Sequence, residues 1–93
     1  MEKRVSVTVR GLVQGVGFRM FIVREASARK LSGWTRNHLA DGSVEIEAQG
    51  PAGLVDDLVR QASIGPSRSR VTSVTVRDIG LSDGQEIGFR ILS

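Results

Sequence analysis

Residues 5–19 read Val5-Ser6-Val7-Thr8-Val9-Arg10-Gly11-Leu12-Val13-Gln14-Gly15-Val16-Gly17-Phe18-Arg19. Val5, Val7 and Val9 alternate with Ser6, Thr8 and Arg10, the period-two pattern of a strand with one buried face. Gly11, Gly15 and Gly17 then fall within seven residues, marking a tight and unusual backbone segment. Beyond it, residues 19–31 contain neither glycine nor proline, and Met20, Glu25, Ala26, Ala28 and Arg29 favour a helix. Phe18, Ile22 and Ala26 supply its apolar stripe. The stretch is thus a strand that passes through a glycine-rich loop into a helix.

The rest of the chain repeats that logic. Ser32-Gly33 ends the helix, and residues 34–39 should be extended up to a turn at Ala40-Asp41-Gly42. Val44, Ile46 and Ala48 alternate with Glu45, Glu47 and Gln49, so residues 34–49 form a hairpin. Gly50-Pro51 opens a second helix with proline at its first position. Leu54, Val55, Leu58, Val59 and Ala62 give it the cleanest amphipathic stripe in the chain. Residues 71–76 form a strand whose parity slips between Val71 and Val74, as a bulge would make it. Leu81 to Gly84 reads as a turn, and Ile87, Phe89 and Ile91 as a short last strand. Each strand has one apolar face, so only one side of the sheet needs covering, and two helices suffice. The expected fold is α+β: a ferredoxin-like βαββαβ open-faced sandwich, an antiparallel sheet with two helices on one face and a short extra C-terminal strand.

The 93 residues are expected to make one domain spanning 1–93. With no cysteine, the chain has no disulfide, thiolate metal site or cysteine nucleophile. The one histidine has no ligand-spaced partner, which argues against a metal site. There is no apolar run of membrane-spanning length and no apolar signal segment at the start, so cytoplasmic residence is the default expectation. Net charge is +3, with 13 basic residues against 10 acidic. The arginines are spread from Arg4 to Arg90 and aromatics are few, so no nucleic-acid surface is expected. A domain of this size has no room for a deep cavity, which points to a shallow loop site for a small polar ligand.

The glycine-rich loop is the place for such a site. Convergent N–H groups at a helix N-terminus bind anions, and Arg19 stands where its guanidinium can reach the same anion. Neither a nucleotide P-loop nor a complete G-x-G-x-x-G is present. From composition alone, the loop is either a phosphate cradle with one arginine or a tight turn beside a solvated arginine.

Residues 9–19, Val9-Arg10-Gly11-Leu12-Val13-Gln14-Gly15-Val16-Gly17-Phe18-Arg19, resemble the signature of the acylphosphatase family. So do Gly33-Trp34-Thr35-Arg36-Asn37 and Asp41-Gly42-Ser43-Val44-Glu45, and the likeness extends over nearly the whole chain. The resemblance implies hydrolysis of the carboxyl–phosphate bond of small acyl phosphates, without metal or cofactor. It implies that Arg19 binds the substrate phosphate together with the amides of Gln14, Gly15, Val16, Gly17 and Phe18, and that Asn37 orients the attacking water. Inorganic phosphate or sulfate should compete for the site, and no nucleic acid, membrane or second subunit is needed, so the expected state is a monomer. The site should tolerate varied acyl groups. One departure stands out: three residues, His38, Leu39 and Ala40, separate Asn37 from the turn's Asp41, where the family usually has two. That lengthens the hairpin tip and leaves the later register open.

Alternation along a strand assigns the neighbours of Asn37. His38 and Trp34 have the opposite parity, so His38 should face away from the site and Trp34 should pack. Glu45 and Glu47 should form a solvated face.

Overall fold

The structure, a computed structural model, describes residues 1–84 and 86–92. Its elements run β1 (Glu2–Leu12), α1 (Phe18–Ala28), β2 (Ser32–His38), β3 (Ser43–Pro51), α2 (Ala52–Ile64), β4 (Arg70–Ile79) and β5 (Phe89–Ile91). All five strands join one sheet in the order β4-β1-β3-β2-β5. β1 and β2 both lie antiparallel to β3, one on each side of it, so α1 joins two parallel strands with a third between them. β3 and β4 flank β1 in the same way, joined by α2. These are the two split βαβ units of the ferredoxin-like fold. β5 adds at the far edge, parallel to β2, which makes the sheet mixed.

The core lies between the helices and one sheet face. Val5, Val7 and Val9 of β1 and Val44, Ile46 and Ala48 of β3 are buried there, as their alternation requires. Phe18, Ile22 and Ala26 of α1 and Val55, Leu58 and Ala62 of α2 meet them. α1 lies against β2 and β5, while α2 lies against β1, β3 and β4. That placement brings the start of α1 to the ends of β2 and β5.

Several boundaries differ from expectation, each for a local reason. Pro51 is the residue before α2 rather than its first residue, because its ψ of 132° is extended and it still pairs with Glu2 of β1. The parity slip in β4 is a register shift: Arg10 pairs with Ser73 but Gly11 pairs with Val71, leaving Thr72 as the extra residue. Ile87 stands outside the last strand and is 91% exposed. The chain turns at Gly88, where φ is 73°, and only then becomes extended. Residues 81–84 make a strap rather than a compact turn. The Ser82 amide donates to Gln49 Oε1 at 2.8 Å, and Gln49 Nε2 donates to the Ser82 carbonyl at 3.3 Å.

The second sheet face is polar but not merely solvated. Arg4 is only 6% exposed, and it donates to Glu47 Oε1 at 3.0 and 3.1 Å and to Glu86 Oε1 at 3.0 Å. Glu45 accepts from Arg36 Nε at 3.1 Å. The two glutamates are therefore half-buried ion-pair partners, which strand alternation alone could not reveal. Trp34 packs on this face under the Arg36 guanidinium, 5.3 Å from its ring centre.

Candidate active site

The chain leaves β1 at Leu12 and enters α1 at Phe18 through the glycine-rich loop. Gly15 has φ 76° and Gly17 has φ 79°, while Val16 between them keeps a negative φ. A Cβ added at either glycine would meet nothing within 4 Å, so the backbone conformation, not crowding, requires glycine. Left-handed residues alternating with ordinary ones turn successive N–H groups toward one concave side. The amides of residues 15–19 find no main-chain acceptor among the described residues. α1 also begins without a side-chain cap or an acidic residue in its first turn. Among the described residues, no capping side chain or first-turn carboxylate offsets the positive end of the helix, a condition that favours binding an anion.

A cleft of about 100 Å³ opens at this point. Val13, Gly15, Gly17 and Phe18 form its loop side, and Arg19 and Met20 come from the first turn of α1. Across it stand Asn37 from the end of β2 and Ile91 from β5. Asn37 shares a strand face with Gly33 and the buried Thr35, so it points toward the helical layer, as its parity demands. Its Oδ1 is buried and has no hydrogen-bond partner, a costly condition for a carbonyl oxygen unless a bound molecule donates to it. Arg19 is half-buried, and its guanidinium pairs with no carboxylate among the described residues. Two hydrogen-bonding side chains without protein partners therefore face one small space, beside free amides.

Gln14 and Val16 do not line the cleft. Val16 packs on the core. The Gln14 side chain reaches the β2–β3 hairpin instead: Nε2 donates to the Ser43 carbonyl at 2.9 Å and to the His38 carbonyl at 3.3 Å. The loop that would hold the anion is thus fastened to the strand that carries Asn37.

The longer hairpin tip leaves the register intact. β2 pairs with β3 without a break from Ser32 opposite Gln49 to His38 opposite Ser43. The extra residue is absorbed in the exposed tip, where Leu39 projects at 86% exposure. Asp41 organises that tip, accepting from the Ser43 hydroxyl at 2.7 Å and from the Ser43 amide at 3.0 Å. These bonds, with His38 Nδ1 at 3.0 Å, hold the Asp41 carboxyl well below the usual carboxylate range. His38 is therefore engaged with Asp41, on the side away from the cleft.

Three cleft residues, Val13, Met20 and Ile91, have no site role in the sequence reading; Val13 is a buried core residue within the loop motif. Met20 follows Arg19 in the first helical turn, so its place beside the site could have been read from adjacency. Ile91 arrives through the parallel pairing of β5 with β2, opposite Thr35. No local sequence signal announces that pairing.

Comparison with known proteins bears on the family and the fold. The acylphosphatase family model matches residues 5–91. An acylphosphatase of Chlorobaculum tepidum is 65% identical over 92 residues, covering 99% of this chain and 98% of that one. The crystal structure of acylphosphatase from Bacillus subtilis matches with a TM-score of 0.91 at 38% identity, over 100% of both chains. Full-length HypF, solved in a phosphate- and nucleotide-bound form, matches with a TM-score of 0.85 at 25% identity, where this chain covers 12% of HypF.

Proposed function

Because the chain belongs to the acylphosphatase family, and hydrolyses acyl phosphates to a carboxylate and inorganic phosphate, we propose that Arg19 and the amides of residues 15–18 hold the phosphoryl group, with Gln14 fastening the loop rather than contacting the anion, while Asn37 orients the attacking water. The observation that carries this assignment is the buried, unpartnered Asn37 Oδ1 in the same cleft as the unpaired Arg19. An amide oxygen there accepts a hydrogen bond from water and aims the water's lone pair at phosphorus.

The chemistry suits these groups. The water oxygen forms a bond to phosphorus as the bond from phosphorus to the acyl oxygen breaks. The leaving carboxylate has a conjugate acid with a pKa near ~4–5, so it departs without a general acid. The transition state is loose, with charge spread over three equatorial oxygens, and catalysis reduces to positioning and electrostatic stabilisation. Arg19 binds two of those oxygens and the amides bind the rest. The water's proton passes to a phosphate oxygen of the substrate itself. No step in this scheme needs a metal ion. Inorganic phosphate or sulfate would occupy the same cradle and compete with substrate.

Action as a monomer belongs to this proposal, since the cleft already brings together the arginine, the loop amides and the asparagine that the scheme uses. Residence in the cytoplasm belongs to the same proposal, supported by a cysteine-free sequence that makes no use of an oxidising compartment. The test is phosphate release from benzoyl phosphate with EDTA present, for the wild type and Arg19→Ala. The assignment expects turnover in the wild type and a loss of ~10³-fold or more in kcat/KM in the variant, by analogy with losing an arginine finger. Equal turnover by the two proteins would refute the role of Arg19.

A further inference from the structure

The walls of the cleft differ in character. Its polar groups are the loop amides, Arg19 and Asn37, and among the described residues Arg19 is the only charged side chain that lines it. A space of about 100 Å³ takes a phosphoryl group and little more. Four apolar side chains line it: Val13 and Phe18 are fully buried, while Met20 and Ile91 keep exposed surface, so an acyl group reaching out of the cleft has Met20 and Ile91, its outer flank, to lie against. Met20 is 52% exposed at the surface of the first turn of α1. Ile91 is half-buried on the helix-facing side of β5, with the same parity as Phe89.

We propose that Met20 and Ile91 make this enzyme select acyl phosphates with an uncharged, apolar acyl chain over those that bear a second carboxylate. The inference rests on the phosphate-cradle reading of Arg19 and deepens it. An apolar chain leaves water by lying on the thioether and the isoleucine. A distal carboxylate in the same place would be partly desolvated against two apolar side chains with no cation in the cleft to receive it, since Arg19 is held by the phosphoryl oxygens. The protein's net charge of +3 works the other way, attracting the more negative substrate. A preference for the apolar substrate therefore has to come from the flank. This qualifies the expectation that the acyl group is freely varied.

The test compares butyryl phosphate with succinyl phosphate, which share a four-carbon chain and a carboxylate leaving group and differ in the distal charge. The wild type should show a kcat/KM ratio of ~10 or more in favour of butyryl phosphate, the scale on which small contacts in an apolar site discriminate. Met20→Gln should lower that ratio several-fold while the inhibition constant for inorganic phosphate stays within about twofold. Met20→Lys should bring the ratio to about one or below, because it supplies the missing cation. Ile91→Thr gives a second reading of the same flank from another element. A wild-type ratio near one, or a ratio unmoved by both Met20 variants, would overturn the proposal. Loss of phosphate inhibition in the wild type would instead overturn the cradle reading beneath it, and the selectivity with it.

Discussion

The side-chain amide of Gln14 donates to the main-chain carbonyl of Ser43 at 2.9 Å, across 29 residues of sequence, and so joins the glycine-rich loop to the hairpin that bears Asn37. A second bond from the same nitrogen reaches the His38 carbonyl at 3.3 Å. The two halves of the site are therefore held in register by one side chain that lies outside the cleft. Gln14→Leu keeps the loop amide but removes both bonds; the His38 carbonyl still accepts from the Gly42 amide at 3.0 Å, while the Ser43 carbonyl loses its side-chain donor. We expect a loss of about 1–3 kcal/mol in unfolding free energy, read from the denaturant midpoint. Misalignment of Arg19 and Asn37 should also lower kcat/KM by roughly 10-fold or more. A variant with unchanged stability and rate would show that the bond is incidental.

The role proposed for Asn37 separates binding from chemistry. Asn37→Ala removes the oxygen that would aim the water while leaving the cradle intact. The expected result is a fall of roughly 10²–10³-fold in kcat, the scale for one oriented polar group. The inhibition constant for inorganic phosphate should stay nearly unchanged. Full turnover in this variant would end the water-positioning role.

Gly17 tests the loop as backbone. Its φ of 79° suits glycine, and a methyl group there would meet open space. Gly17→Ala should therefore cost about 1–2 kcal/mol through the left-handed conformation alone. If the loop relaxes to relieve that strain, the amides diverge and phosphate inhibition weakens. Calorimetric stability and the phosphate inhibition constant, measured on the same protein, report the two effects.

Asp41 gives the tip a pH dependence. Its folded-state pKa is lowered, chiefly by the Ser43 hydroxyl, then by the Ser43 amide and His38. The folded chain thus binds fewer protons at this site than the unfolded chain does. The resulting stability is whole above the ordinary value of 3.8 and is lost as pH falls below it toward the folded-state value. Asp41→Asn should flatten the acid limb of the stability curve. Unfolding measured at pH 7 and again below pH about 3 should show the wild type losing its advantage over the variant. Parallel curves for the two proteins would contradict this.

Periodicity made much of this architecture legible. The alternation of Val5, Val7 and Val9 and of Val44, Ile46 and Ala48 assigned the buried face of two strands, and the Leu54, Val55, Leu58, Val59 and Ala62 stripe pointed to the inner side of α2, where Val55, Leu58 and Ala62 are buried but Leu54 is exposed. The same parity argument set His38 on the face opposite Asn37, and the burial of Gly33 and Thr35 in the structure identifies the Asn37 face as the helix side. Non-local pairings were not legible. Arg4, Glu47 and Glu86 come from three separate parts of the chain and form one ion-pair group only after the sheet and the 81–84 strap are in place. Ile87 looked like strand because its parity matches Phe89 and Ile91, yet the positive φ of Gly88 interrupts the chain between them. The cleft showed the same division: the loop and Arg19 were visible in a contiguous motif, whereas Ile91 depended on which strand β5 would join.

The central claim is that Arg19 and the loop amides surround a phosphoryl group within reach of Asn37. Its most direct test is a crystal structure of the protein grown with sulfate. The account predicts a tetrahedral anion at the start of α1, its oxygens within ~2.7–3.2 Å of the amides of residues 15–18 and of the Arg19 guanidinium. It also predicts the Asn37 carboxamide turned toward that anion or toward a water resting on it. A structure with sulfate bound elsewhere, the loop amides facing solvent and Arg19 extended away from Asn37, would contradict the account.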